Sequence, residues 1–279
     1  MKKLYAVIGD PVSHSMSPVM HNDLFQHYGL DAHYHAFAIK PNDLKDAVNG
    51  FRAIGISGFN VTIPHKVSIM PLLDRIDPLA QSIGAVNTVV NEEGCLVGYN
   101  TDGAGFVQGL QSKVPSLHDK RVLIIGAGGA SKAIYFTLAH IGVSQIDITN
   151  RTIQSAVKLS EECPYEVNTV VMGLEETEDY LERYDIIIQS TSIGMVPQIE
   201  CQPLSLHNLK ERAFVSDIIY NPLETKILKM AKEKGAQVQN GIEMFVHQGA
   251  LAFEKWTGIK PDTNRMTKIV KEQLGGTKC

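Results

Sequence analysis

No stretch of the sequence is long and apolar enough to span a bilayer. The opening Met1-Lys2-Lys3-Leu4-Tyr5-Ala6-Val7-Ile8-Gly9-Asp10 does not read as a signal peptide, because its apolar run is short and stops at an acidic turn. Cysteine is scarce: Cys95, Cys163, Cys201 and Cys279 are scattered and form no C-x-x-C pair. That argues against a disulfide framework or a zinc site, and makes a reducing cytoplasm the default compartment. A basic excess is also missing. The formal net charge is -4, which excludes a general nucleic-acid binder, since neutralising phosphates needs a basic face. Repeats and low-complexity segments are absent as well. What remains is a chain of 279 residues with 44% hydrophobic and 20% charged residues, enough for a large core and two domains.

Periodicity places the elements. Leu4 to Gly9 reads as a strand feeding a turn at Gly9-Asp10-Pro11. Ser17-Pro18 then opens a helix, with Ser17 as a candidate cap and Pro18 suited to the first helical position; Met20, Leu24 and Tyr28 line one face and Gly29 stops it. A strand over His33 to Ile39, a helix over Pro41 to Ile54 and a strand over Phe59 to Ile63 follow. Val86 to Val90 and Leu96 to Tyr99 alternate around Glu92-Glu93-Gly94, a hairpin signature. Near residue 120 the pattern changes. Arg121 to Ile125 is a continuous apolar run, as in a parallel strand buried on both faces. Strands over Gln145 to Thr149, Thr169 to Met172, Asp185 to Gln189 and Phe214 to Ile218 alternate with helical stretches, which implies right-handed βαβ units. Helices over Gly241 to Gly258 and Arg265 to Leu274 close the chain.

The fold class expected is therefore α/β: an N-terminal α/β domain over residues 1–103, then a doubly wound, Rossmann-type dinucleotide-binding domain over residues 104–241. The C-terminal helices, about 242–279, are expected to return to the first domain. The join lies in the helical segment from Thr101 to Ser112.

Gly126-Ala127-Gly128-Gly129-Ala130-Ser131 sits between a strand and a helix. Missing Cβ atoms let the backbone turn tightly and approach a pyrophosphate, while the helix N-terminus offers N–H groups and the positive end of its dipole. The same glycines would serve a bare strand-to-helix turn, but the second strand at the right distance favours the dinucleotide. That strand ends at Thr149-Asn150-Arg151-Thr152. NAD sites place a carboxylate here for the ribose 2′-hydroxyl, whereas Arg pairs with a 2′-phosphate, so Asn150-Arg151 points to NADP rather than NAD.

Upstream of that loop stand Gly9 to Pro18, Asn60-Val61-Thr62-Ile63-Pro64-His65-Lys66, Gly84-Ala85-Val86-Asn87-Thr88 and Gly98-Tyr99-Asn100-Thr101-Asp102. Downstream stand Asp217-Ile218-Ile219-Tyr220-Asn221-Pro222 and Gly241-Ile242-Glu243-Met244-Phe245-Val246-His247-Gln248. In these motifs, in family order over nearly the whole chain, the sequence resembles the shikimate/quinate dehydrogenase family. The resemblance implies that Ser15 and Ser17 hold a substrate carboxylate, that Thr62, Asn87, Tyr220 and Gln248 contact the carboxylate or ring hydroxyls, and that Lys66 and Asp102 form the catalytic pair. Gly126, Ala127, Gly128, Gly129, Ala130, Asn150, Arg151, Thr152, Ile218 and Gly241 would contact NADP(H). The N-terminal domain would then be the substrate domain.

Each residue also has a plainer reading. Ser17 before Pro18 suits an N-cap, Lys66 a solvated lysine, and Asp102 a helix cap. His14, His21, His33 and His35 resemble a metal cluster only in composition, since no carboxylate or cysteine joins them at ligand spacing, and no metal is expected. Thr191 to Met195 is a turn that borders the cofactor in the resemblance. One departure stands out: NADP-preferring members often carry a second Arg shortly after Asn-Arg-Thr, where this chain has Ser155, with Lys158 the next basic residue. The resemblance implies reversible reduction of 3-dehydroshikimate to shikimate with NADPH, in aromatic amino-acid biosynthesis, by a monomer or homodimer with no nucleic-acid or membrane partner. Alternatives are a broader quinate/shikimate dehydrogenase, which Ser17 disfavours against Thr, a non-catalytic NADP-binding regulator, and a methylenetetrahydrofolate-dehydrogenase-like enzyme.

Overall fold

The computed structural model describes residues 2–275; the sequence reading of Cys279 lies outside them. Two compact units emerge, one formed by the residues up to Thr101 with those from Val246 onward, the other by Asp102–Phe245.

The first unit opens with β1 (Lys3–Gly9), α1 (Ser17–His27), β2 (Ala32–Ala38), α2 (Leu44–Ala53) and β3 (Gly58–Val61). β4 (Arg75–Ile76), α3 (Pro78–Ile83), β5 (Thr88–Glu92) and β6 (Cys95–Tyr99) follow. The sheet has six strands in the order β2-β1-β3-β5-β6-β4, with β1 parallel to β2 and β3, and β5 antiparallel to β3 and β6. α2 buries Leu44, Val48 and Phe51, one helical face, each side chain worth about 1.5–3 kcal/mol of apolar transfer. They join Ile8, Phe59, Val61 and Val89 in a single apolar cluster. The expected hairpin turn forms with Glu93 and Gly94 both at positive φ, 54° and 96°, the backbone a two-residue hairpin demands.

Two local expectations change. The expected capping by Ser17 does not occur: α1 begins at Ser17 itself, its N-cap is Met16 without a side-chain bond, and Ser15 Oγ accepts the Ser17 amide at 3.3 Å. The reason is position, since a residue already inside the first turn has its side chain beside the helix rather than over its open amides. Periodicity also passes over α3, which is too short to show an apolar stripe. Its signals were present nonetheless: Asp77 accepts the amides of Leu79 and Ala80 at 3.1 and 3.4 Å, Pro78 takes the first turn, and Gly84 stops the helix at φ 73°.

The second unit runs α4 (Asp102–Gln111), β7 (Arg121–Ile125), α5 (Gly129–His140), β8 (Gln145–Thr149), α6 (Ile153–Glu161), β9 (Val171–Met172), α7 (Leu174–Glu178), β10 (Ile186–Gln189), β11 (Phe214–Asp217), α8 (Lys226–Glu233) and β12 (Gln237–Gln239). Its six strands lie in the order β12-β11-β10-β7-β8-β9, every pair parallel. This is the doubly wound order expected from the alternating pattern, with the winding reversing between β7 and β10. α9 (Ile242–Thr257) and α10 (Thr263–Gly275) end the described chain.

Within the first unit, His21 of α1 is fully buried, its ring stacked 4.6 Å from Tyr34 and 6.2 Å from Phe253, and tilted 5.3 Å from Trp256. Neither ring nitrogen has a hydrogen-bond partner. Burial pulls its pKa down to about 3, so it folds as neutral imidazole. The unfolded ring protonates near 6.5 and the folded one only near 3, so this group's stability contribution is complete above pH 6.5 and is lost as pH falls towards 3. Between about pH 7 and 4.5 that loss is about 2–3 kcal/mol. In His21→Phe, which keeps an aromatic ring in the box, urea unfolding at the two pH values should show stability falling less than in the parent by that amount. An equal fall in both proteins would show that His21 titrates normally.

Candidate active site

In the first unit, three of the expected substrate residues gather where β3 exits. Thr62 and Lys66 lie on the turn after the strand, fixed by Thr62 N–H donating to Ile8 O at 2.9 Å and His65 N–H to Thr62 O at 2.9 Å. The Val86 amide donates to Lys66 O at 2.8 Å, and this brings the neighbouring Asn87 to the same turn. Asn87 is buried; its Nδ2 donates to Thr101 Oγ1 at 3.0 Å and its Oδ1 accepts the Thr101 amide at 2.7 Å. Asp102, next in the chain, is the first residue of α4.

Ser17 joins this group through residues that periodicity assigned to strands. Tyr34 on β2 is 1% exposed, and its hydroxyl donates to Asn60 Oδ1 at 2.7 Å. Asn60 Nδ2 donates in turn to Thr88 Oγ1 at 3.0 Å and to Asn87 O at 3.2 Å. Burial pushes the Tyr34 phenol well up, and a hydrogen bond with Ser17 works the other way. A run of hydrogen bonds thus links Tyr34, Asn60, Thr88 and Asn87 inside the unit. Tyr34 was missed because a strand pattern scores Tyr as an apolar β-former. The only hint was a phenol facing Asn60, which no local spacing reveals. Ser15 is half-buried beside Ser17, and Gln248 lies on α9.

In the second unit, the glycine loop leaves β7 at the point where the winding reverses. Gly126 has φ 119°, and a Cβ there would stand 2.9 Å from Ser190 Oγ and from Thr191 Cγ2, so no other residue fits the turn. Gly128 and Gly129 differ: a Cβ on either would meet nothing within 4 Å. The packing of the chain does not require these two glycines, and the open space before them is what close approach of a pyrophosphate needs. A cleft of about 280 Å³ brings Gly126 together with Asn150, Arg151, Thr152, Thr191 and Ile193. It lies at the carboxyl ends of β7, β8 and β10, the place where open parallel sheets bind ligands.

Asn150 Nδ2 donates to Thr152 O at 2.9 Å and shapes the turn that presents Arg151. Arg151 is exposed, and no carboxylate pairs with it among the described residues. Lys158 lies one helical turn before Glu162 and pairs with it at 3.7 Å, while Lys132 holds the same carboxylate at 2.6 Å and lowers its pKa. Lys158 is thereby directed towards the C-terminal end of α6 rather than towards Arg151. Ser155 is exposed in the first turn of α6.

β11 delivers the remaining expected residues. Asp217 at its end is fully buried and accepts from the Ile219 amide at 2.9 Å and Thr225 Oγ1 at 2.7 Å. Burial pushes its carboxyl up to about 6, against those two bonds. They fix the turn carrying Ile218 and Tyr220. A Cβ on Gly241 would fall 2.0 Å from Ile218 O, so Gly241 lies directly on that turn. The Tyr220 ring packs 5.4 Å from Phe245. Among the described residues no group of three or more His, Cys, Asp or Glu side chains could hold a metal ion.

Comparison with known proteins places three family matches along the chain. Residues 7–89 match the shikimate dehydrogenase substrate binding domain, residues 108–218 the shikimate / quinate 5-dehydrogenase family, and residues 241–271 the shikimate 5′-dehydrogenase C-terminal domain. A shikimate dehydrogenase (NADP(+)) of Bacillus cereus (strain AH187) is 60% identical over 277 residues, covering 99% of this chain and 100% of the relative. Among solved structures, a shikimate dehydrogenase in complex with NADP+ has 43% identity and a TM-score of 0.90, covering 98% of this chain and 96% of its own. The shikimate 5-dehydrogenase of Thermus thermophilus, in complex with NADP(H) and shikimate, has 36% identity and a TM-score of 0.88, covering 97% and 99%.

Proposed function

We infer the activity from kinship and site together: this chain belongs to the shikimate dehydrogenase family, and it is an NADP-dependent oxidoreductase that reversibly reduces 3-dehydroshikimate to shikimate. The observation that carries the cofactor half is the cleft at the winding reversal, where Gly126 and the Asn150-Arg151-Thr152 turn meet. The substrate half is supported by the polar run from Tyr34 through Asn60 to Asn87, beside Thr62 and Lys66. The first unit is the substrate domain and the second the NADP-binding domain. The reaction belongs to the shikimate pathway of aromatic amino-acid biosynthesis. The protein works in the cytoplasm, in keeping with its free cysteines Cys95, Cys163 and Cys201, as a monomer or homodimer.

Ser15 and Ser17 hold the substrate carboxylate by hydroxyl donation, and Thr62, Asn87, Tyr220 and Gln248 orient the carboxylate and the ring hydroxyls. Lys66 moves the proton at the reacting oxygen, taking it from the hydroxyl in oxidation and returning it to the ketone in reduction. Asp102 lies at the same hydroxyl and orients the Lys66 amine, so that the single hydroxyl proton passes to Lys66. The nicotinamide, when bound, supplies the hydride acceptor or donor. Gly126 to Ala130 seat the pyrophosphate, Ile218 and Gly241 line the nicotinamide side, and Arg151 pairs with the 2′-phosphate alongside Asn150 and Thr152. With Ser155 in place of a second Arg and Lys158 paired with Glu162 at 3.7 Å, Arg151 carries most of the phosphate preference.

Lys66→Ala should lower kcat by about 10²–10⁴-fold and change the shikimate KM far less, because proton transfer acts in the transition state. A variant that keeps most of its kcat would remove Lys66 from the chemistry. Arg151→Ala should cut kcat/KM with NADP by about 10–100-fold, the worth of hydrogen bonds to a charged group, and leave NAD nearly untouched. Steady-state rates with both cofactors at one ionic strength decide it, since salt screens exposed pairs. Equal losses with the two cofactors would place Arg151 at a part they share.

A further inference from the structure

The glycine loop is tied to the sheet by two serine hydroxyls, those of Ser131 and Ser190. The Gly128 amide donates to Ser131 Oγ at 3.1 Å, Ser131 Oγ lies 2.8 Å from Ser190 Oγ, and Ser190 Oγ donates to Ile125 O at 2.7 Å. The direction of every bond follows from donor arithmetic. A carbonyl only accepts, so the single Ser190 proton goes to Ile125, and the bond between the hydroxyls must be donated by Ser131. Ser131 in turn accepts from the amide of Gly128. Both serines are buried, at 0% and 7% exposure, so water does not compete for these bonds.

The path runs from the loop amide, through α5 and the end of β10, back to the last carbonyl of β7. It spans the winding reversal and closes on the strand that launches the loop. It also uses up one amide. Gly128 N–H points inward to Ser131, so it is not a donor to a ligand in front of the loop. The first bond of α5 is Lys132 N–H to Gly128 O at 2.9 Å, so the amides of Gly129 and Ala130 have no partner within the helix and face its open end.

We propose that Ser131 and Ser190 are the positioning residues of the pyrophosphate site: they set the loop in its binding shape before the cofactor arrives, turn the Gly128 amide away, and leave Gly129 and Ala130 to donate to the phosphates. This rests on the NADP-binding reading above. It differs from the role of Arg151, because the pyrophosphate is common to NADP and NAD.

The test is the dissociation constant of NADPH and of NADH for the parent, Ser131→Ala and Ser190→Ala, by nucleotide fluorescence titration, with melting temperature and the shikimate KM at saturating NADP measured alongside. Each alanine variant should weaken NADPH and NADH by the same factor, about 5–10-fold for one lost hydrogen-bond constraint, with the NADPH to NADH ratio and the shikimate KM unchanged. The double variant should lose little more than the larger single one, since either removal breaks the same path. Should an alanine variant fail to fold, Ser131→Cys keeps the volume while weakening both bonds, and the same comparison applies. Unchanged nucleotide affinity with a lowered melting temperature would overturn the proposal, making the serines packing alone. A parent that binds neither nucleotide would overturn the cofactor reading and the proposal with it.

Discussion

Right-handed crossovers and one reversal of winding impose the geometry on which the cofactor site depends. Strands β7 and β10 are neighbours in the sheet, yet the chain leaves β7 towards β8 on one side and reaches β10 only after β9. Crossovers of fixed hand then lie on opposite faces, so the loops after β7 and β10 diverge and leave a crevice at the carboxyl ends of the strands. The glycine turn and the Asn150-Arg151-Thr152 turn both open onto that crevice. Gly126 must be glycine because the residues after β10 crowd it; Gly128 and Gly129 have room, since a Cβ on either would meet nothing within 4 Å among the described residues. Thr191 and Ile193 reach the same cleft because Gln189, fully buried, accepts the Thr191 amide at 3.0 Å and donates to Ile193 O at 2.9 Å, curling the loop back on its strand.

The substrate unit solves a different problem, that of keeping polar groups in place inside an apolar body. Its sheet is mixed, and its residues are held by side-chain bonds rather than by a glycine cradle. Tyr34, Asn60, Thr88 and Asn87 satisfy one another, so the desolvation cost of each buried group is offset by its neighbour. His21 is the exception beside them: a ring with both nitrogens unpaired, tolerated because it stays neutral and stacks on Tyr34.

What the sequence reveals follows the range of the interaction involved. The glycine loop and the Asn150-Arg151 turn were legible because strand, loop and helix are contiguous, and a backbone function leaves its mark in residue type. The expected strands of the second unit appear within a residue or two of their places, since parallel strands buried on both faces are continuous apolar runs. β4, of two residues, and β12, of three, were invisible because nothing periodic fits in so short a length. The N-cap at Ser17 was misplaced by a single residue, enough to change what its hydroxyl does. Tyr34 and Ser190 act through partners 26 and 65 positions away, and no local pattern carries that information. The proposed substrate residues rest chiefly on motif order, since a lysine shortly after Thr-Ile-Pro has no chemistry of its own until its surroundings are known.

The central claim is hydride exchange between shikimate and NADP. The most direct measurement is the initial rate of absorbance increase at about 340 nm, where reduced nicotinamide absorbs, for purified protein with shikimate or quinate and NADP or NAD. Turnover should be fastest with shikimate and NADP, slower with NAD, and weak with quinate. Binding of NADP without turnover of either substrate would contradict it, and would describe instead a nucleotide-binding regulator built on the same fold.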